Sequence, residues 1–208
     1  MTGRTKILLI AIALIVVAGA AALVWKNKQS GADTAVTETA PAADTAAGSA
    51  PAAPANYDLT PDSEGLSKAV ATLTLETGAV IKWRFYTNDA PNTVKRIAQL
   101  ISEGFYNGIT FHRVEPGFVV QAGDPTGTGA GGSGVKLKAE FNKHKHVPGI
   151  VSMARTNDPD SADSQFFIMM NTSEYLDGKY TVIGKVVEGF ENVPNIQQGN
   201  KIKTFVIQ

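Results

Sequence analysis

The run from Phe111 to Asp124 sets one strongly basic side chain in strand-like surroundings. Arg113 lies in one short strand pattern, Pro116-Gly117 marks a turn, and a second strand pattern brings Phe118 and Gln121 back beside it. Arginine carries five N–H donors, no acceptor and a permanent charge, so it calls for a partner or a ligand. Taken alone, an arginine in a strand is more often a surface or salt-bridged residue.

Other chemical patterns are weaker. Gly127, Gly129 and Gly132 formally match a dinucleotide-binding fingerprint, but no helix pattern follows to receive a pyrophosphate, so a surface loop is the better reading. Asp158, Asp160 and Asp163 lack the glycine and glutamate of a calcium loop and read as a solvated acidic loop. His144 and His146 read as surface residues. No Gly-x-Ser-x-Gly elbow supports serine hydrolysis. The absence of cysteine excludes disulfides, thiolate zinc sites, a cysteine nucleophile and lipid-bearing cysteines. Nineteen basic against nineteen acidic residues argue against a broad nucleic-acid footprint.

These residues need elements to position them. Ala69, Ala71, Leu73 and Leu75 alternate with polar or small residues, as do Ile81, Trp83 and Phe85 after Thr77-Gly78, which predicts an antiparallel hairpin. Pro91 opens a helix pattern through Val94, Ile97, Ala98 and Ile101, and Gly104 stops it. Short strands are expected at Thr110–Val114, Phe118–Ala122, Ile150–Ala154, Gln165–Met170, Tyr180–Val187 and Lys201–Gln208. A second helix is expected within Gly189–Gly199, weakened by Pro194. Many short strands between Gly, Pro and Asn turns point to a sandwich or barrel.

The amino-terminal part differs in kind. Ile7–Trp25 is an uncharged run of 19 residues flanked by Arg4, Lys6, Lys26 and Lys28, about the length that crosses a bilayer as a helix. Residues 1–28 are read as an uncleaved signal anchor, a cleaved signal peptide being the alternative. From Gly31 to Asn56, eleven of 26 residues are Ala, with Pro41, Pro51 and Pro54 interspersed. Residues 29–56 therefore read as a disordered linker, and 57–208 as the folded domain.

Several segments of that domain, in order, resemble the cyclophilins, a family of peptidyl-prolyl cis-trans isomerases, and specifically the exported bacterial members. They are Tyr106–Arg113, Pro116–Asp124, the loop Gly127–Gly134, Ser152–Arg155, Ser164–Ile168, Leu176–Gly178 and Ile183–Val186. The resemblance spans nearly all of 68–208 and none of the anchor or linker. It implies a mainly β fold: a closed eight-stranded antiparallel β-barrel capped by two helices, with the site on its outer wall. It implies that Arg113 is catalytic and that Phe118, Val119, Phe167 and Leu176 receive a substrate proline ring, although Phe118 and Phe167 read about equally well as core aromatics. Gln121 and Gln165 would be the polar groups beside that pocket, and Ala154 and Arg155 the stretch that pairs with substrate backbone. Tyr175 and Tyr180 stand at binding positions where the family often has Trp and His. Tyr180 keeps a hydrogen-bonding edge, whereas Tyr175 lacks an indole N–H, which weighs against strong cyclosporin binding. Arg155 replaces a frequent Asn, a change expected to shift sequence preference.

The implied function is isomerisation of Xaa-Pro bonds during folding of exported proteins, with no cofactor and no metal. The alternative is a non-catalytic chaperone or adaptor that holds proline segments on the same barrel. Expected partners are proline-containing unfolded or partly folded polypeptides and, through the anchor, a membrane. The domain is expected to be monomeric and extracytoplasmic, or secreted if the leader is cleaved.

Overall fold

The computed structural model describes residues 64–208. A short helix α1 (Glu64–Lys68) leads into strands β1 (Val70–Leu75) and β2 (Val80–Phe85), followed by helix α2 (Pro91–Ser102). Six strands complete the sheet: β3 (Arg113–Glu115), β4 (Val119–Ala122), β5 (Ile150–Met153), β6 (Phe166–Met169), β7 (Val182–Glu188) and β8 (Ile202–Ile207). All pair antiparallel, in the order β3-β4-β6-β5-β7-β2-β1-β8.

The expected hairpin forms with Leu73 opposite Ile81 and Ala71 opposite Trp83, which puts the apolar alternation of both strands on one buried face. Trp83, Tyr106, Phe166 and Phe205 meet there, with Trp83 and Phe205 ring centroids 4.9 Å apart and the Tyr106 hydroxyl donating to the Ser164 carbonyl at 3.0 Å. Helix α2 buries Val94, Ile97, Ala98, Leu100 and Ile101 against this core. No side chain at Ala90 caps α2; instead the Glu140 carboxylate, from a distant loop, accepts from Asn92 N–H at 3.1 Å and Thr93 N–H at 2.8 Å. A negative charge on free N–H groups is favourable at that end of a helix.

Strands β4, β5 and β6 are buried on both faces. Val120, Ala122, Val151, Met153, Phe166 and Ile168 join the main core. Their alternates Val119, Ile150, Phe167 and Met169 form a second, smaller apolar cluster with Leu176 and Val182. That second cluster underlies the functional site.

Four expectations change. β3 and β8 end the ladder and no strand ladder joins them among the described residues, so the sheet is an eight-stranded antiparallel half-barrel rather than a ladder closed throughout. The reason is local: Thr110 and Phe111 do not extend β3. Thr110 instead bridges Lys201, and Phe111 N–H donates to the Asn200 carbonyl at 2.8 Å. The second helix is a six-residue 3-10 turn, Phe190–Asn195, because Pro194 lacks an N–H and clashes with a preceding carbonyl in an α-helix. His146 is not on the surface: its side chain is 0% exposed. Asp163 is likewise buried, accepting from Ser133 N–H and O–H and from Gly134 N–H, so the acidic loop is solvated only in part. The apolar run at 7–25 and the segment 29–56 lie outside the described residues. Among the described residues no helix is long and apolar enough to cross a membrane.

Candidate active site

The β3–β4 hairpin sets Arg113 directly opposite Gln121, and the β4–β6 ladder sets Gln121 opposite Phe167. Ala154 follows β5 and donates its N–H to the Gln165 carbonyl at 2.9 Å. A 3-10 turn, Glu174–Leu176, and the approach to β7 bring Tyr175, Leu176 and Tyr180 over the same face.

Together these elements enclose a cavity of about 150 Å³ lined by nine of the residues singled out in the sequence: Arg113, Phe118, Val119, Ala154, Arg155, Phe167, Tyr175, Leu176 and Tyr180. Val119, Phe167 and Leu176 are buried and make its apolar floor. Phe118 and Tyr175 stack at 6.2 Å on its rim, where Tyr175 is 63% exposed. Phe167 meets both readings: it is 5% exposed within the smaller apolar cluster, and it also lines the cavity. Gln121 and Gln165 line an adjoining cavity that shares Ala154 and Arg155 with the first.

A chain of hydrogen bonds through two side-chain amides orients Arg113. The Gln165 amide nitrogen donates to the carbonyls of Gly129 and Gly131 at 2.9 and 2.8 Å, which turns its oxygen toward Gln121. The Gln121 nitrogen donates to that oxygen at 2.8 Å, leaving the Gln121 oxygen to accept from Arg113 Nη1 at 3.2 Å. Each amide therefore has its orientation set by the next. Glu115 lies 3.5 Å from Arg113 Nε, and the guanidinium stands 6.0 Å from the Phe118 ring centroid.

The glycine-rich loop is the anchor of this chain, as a surface loop rather than a phosphate cradle. Burial disfavours the Asp124 carboxylate, but bonds from Thr126 O–H and N–H and from Gly131 and Gly129 N–H outweigh it and hold the carboxyl far below its usual range. A side chain at position 131 would collide with that carboxylate, which accounts for glycine there. Gly123 has φ +99 and its backbone packs on Ser164, a position closed to any β-carbon.

Behind the cavity floor lies a buried Ser152, His146 and Asp177 series. Asp177 Oδ1 is 3.1 Å from His146 Nδ1, and His146 Nε2 is 3.2 Å from Ser152 Oγ. This order resembles a hydrolase triad, but Ser152 is fully buried and donates to the Thr181 carbonyl at 2.9 Å, so it cannot reach a substrate. The series holds the floor instead: the His146 ring stacks on Phe167 at 6.1 Å and meets Tyr180 edge-on at 6.3 Å. Burial pushes the His146 pKa down against the pull of Asp177, and burial likewise lowers that of His112 beside Arg113. The Asp177 carboxyl is held low, chiefly by the His146 N–H. Sequence patterns missed His146 because its partners lie 6 and 31 positions away. They also missed Phe141, whose ring faces Arg155 at 5.6 Å.

No group of three or more His, Cys, Asp or Glu side chains able to hold a metal occurs among the described residues. The arrangement is a hydrogen-bonded guanidinium at the edge of a small cavity with an apolar floor. It suits a reaction in which a lone pair develops on a substrate atom while an apolar group is held still.

The family model for "Cyclophilin type peptidyl-prolyl cis-trans isomerase/CLD" matches residues 71–207. The chain is similar to peptidyl-prolyl cis-trans isomerase B of Bacillus subtilis, 46% identical over 131 residues, covering 62% of this chain and 91% of the relative. It is similar to a Helicobacter pylori peptidyl-prolyl cis-trans isomerase, 43% identical over 148 residues, covering 69% and 90%. A crystal structure of a Cryptosporidium parvum cyclophilin superposes with a TM-score of 0.62 at 31% identity, over 67% of this chain and 98% of that one; it was solved in the presence of the dipeptide Ala-Pro.

Proposed function

This chain belongs to the cyclophilin-type peptidyl-prolyl cis-trans isomerase family and accelerates rotation about Xaa-Pro peptide bonds, and on that premise we propose a role for each residue around the cavity. Val119, Phe167 and Leu176 hold the proline ring, and Phe118 and Tyr175 close over it. Arg113 is the catalytic residue. Planar resonance resists rotation by about 18–20 kcal/mol. At the twisted transition state the proline nitrogen becomes pyramidal and regains a lone pair. A guanidinium directed at that nitrogen favours the twisted state over the planar one, which is the condition for acceleration. Gln121 and Gln165 keep the guanidinium in place, Ala154 and Arg155 pair with substrate backbone, and Tyr180 offers a hydrogen-bonding edge.

The observation that carries this reading is the Arg113 to Gln121 bond beside a cavity with an apolar floor. Its ligand class is supported by the Ala-Pro dipeptide present with the Cryptosporidium parvum relative. Replacing Phe167 or Leu176 by alanine empties the floor and raises KM for an Ala-Pro test peptide in correctly folded protein. An unchanged KM in both variants would contradict the pocket assignment.

The physiological setting follows from the amino-terminal sequence. Residues 1–28 anchor the protein in a membrane, 29–56 tether it, and the monomeric domain 57–208 acts on exported, partly folded polypeptides outside the cytoplasm. The uncharged run at 7–25 supports the anchor. Protease added to spheroplasts removes the domain if this is right; protection until the spheroplasts are lysed would overturn it. The pairing of 108–111 with 199–202 supports a barrel that closes at that seam.

A further inference from the structure

Asp163 lies two residues before Gln165 and is only 5% exposed. Its Oδ1 accepts from Ser133 N–H at 2.7 Å and from Ser133 Oγ at 2.6 Å, and its Oδ2 accepts from Gly134 N–H at 3.1 Å. Lys136 Nζ stands 3.6 Å from Oδ2. A β-carbon on Gly132 would come within 2.7 Å of the Asp163 carboxylate, so the loop passes directly against it. A carboxylate loses hydration on burial and needs bonds of this kind to offset the loss.

The glycine-rich loop is therefore gripped at two points. Asp124 gathers the N–H groups of Thr126, Gly129 and Gly131, and Asp163 gathers those of Ser133 and Gly134. Between the two grips lie the carbonyls of Gly129 and Gly131, which accept from the Gln165 amide nitrogen. Glycines have no side chains with which to brace that stretch, so the two carboxylates set where its carbonyls stand. Ser164, between Asp163 and Gln165, is held too: its hydroxyl donates to the Gly123 carbonyl at 2.6 Å, and its carbonyl accepts from Tyr106. From helix α2, Arg96 Nη2 donates to Ser133 Oγ at 3.1 Å, so one hydroxyl bridges that guanidinium to the buried Asp163 carboxylate.

We infer that Asp163 is a positioning residue for the isomerisation: it fixes the far end of the glycine-rich loop, which keeps Gln165 and Gln121 in the orientation that directs Arg113. The inference rests on Arg113 being the catalytic residue. Asp163 acts on the rate through Gln165, and its own contact with the peptide plays no part. Arg96 supports it through Ser133, which ties the site to helix α2 across the loop.

The test is a double-mutant cycle on the full-length protein with an Ala-Pro peptide. Asp163→Asn keeps the side-chain volume and removes the charge. It lowers kcat by about three- to tenfold, the scale of one of the neutral bonds that hold Gln165, and leaves KM unchanged. Ser133→Ala removes only the hydroxyl bridge and lowers kcat by a smaller factor, which keeps the inference testable if Asp163→Asn folds poorly. In a Gln165→Leu background, Asp163→Asn has little further effect on kcat but still lowers the denaturation midpoint, because residues in one network are not additive whereas independent ones are. An unchanged kcat in Asp163→Asn and Ser133→Ala overturns the inference. So does a kcat loss that multiplies in full with that of Gln165→Leu, which marks a purely structural role, and so does a change confined to KM, which marks a peptide contact. Arg113→Ala in the same assay tests the premise by itself: a wild-type rate there strikes the catalytic assignment rather than the role of Asp163.

Discussion

Arg113 and Gln121 face each other across the β3–β4 ladder, with Nη1 of the arginine 3.2 Å from the amide oxygen of the glutamine. That contact ends a relay that begins at the backbone of a glycine loop, and each link fixes the orientation of the next. The Arg113 guanidinium, nearly half exposed to solvent, thus has a defined direction without being buried.

Replacing Gln121 by leucine removes the acceptor while preserving the bulk of the side chain. Arg113 then samples more rotamers, and kcat/KM falls about 10- to 150-fold, the equivalent of one hydrogen bond to a charged group. Single-turnover rates and peptide binding measured separately check this. The loss is expected in kcat rather than in affinity.

Asp124 is the next point of leverage. Asparagine there removes the charge that gathers Thr126, Gly129 and Gly131, so the loop loosens and Gln165 loses well-placed carbonyls. Asp124→Asn should destabilise the domain by about 1–3 kcal/mol and lower activity as well. Urea denaturation and peptide turnover on the same preparation report both effects. Unchanged turnover in a destabilised variant would separate the loop from the relay.

Stability should also depend on pH with a definite sign. Burial lowers the folded-state pKa of His146 and His112 from the usual 6.5, so the unfolded chain binds these protons more readily. The stabilisation is complete above about 6.5 and is lost as pH falls below it toward the folded values. Asp124 and Asp177, also lowered, act in the same direction below 3.8. Denaturation midpoints at pH 7.5 and 5.5 should therefore differ, with the lower value at pH 5.5. His146→Gln should shrink the difference. A midpoint that does not move over this interval would contradict the assignment.

Much of this was legible in the sequence because it is local. The alternation of Ala71, Leu73 and Leu75 with small or polar residues specifies one face of β1, and Pro91 with the Val94 to Ile101 spacing specifies α2. All eleven expected site residues line one of two adjoining cavities, since the family-like segments that carry them are carried on paired strands. What escaped depends on distant partners. His146 is buried by Ser152 and Asp177, and Asp163 by the loop at 133–134, neither of which any local pattern announces. The extent of β3 escaped for a similar reason, because Thr110 and Phe111 look like strand but pair across the seam with 200–201.

The most direct measurement is the cis-to-trans rate of an Ala-Pro peptide with full-length protein, Arg113→Lys and Arg113→Ala. Uncatalysed isomerisation takes about 10–100 s at 25 °C, so acceleration is easily read. Arg113→Ala should lower kcat/KM by about 10²–10³-fold, as for loss of one preorganised donor to a developing charge. Peptide binding should be largely kept, and lysine should restore only part of the rate because it lacks the planar fork that Gln121 holds. Wild-type rates in a folded Arg113→Ala protein would contradict the central role of this residue.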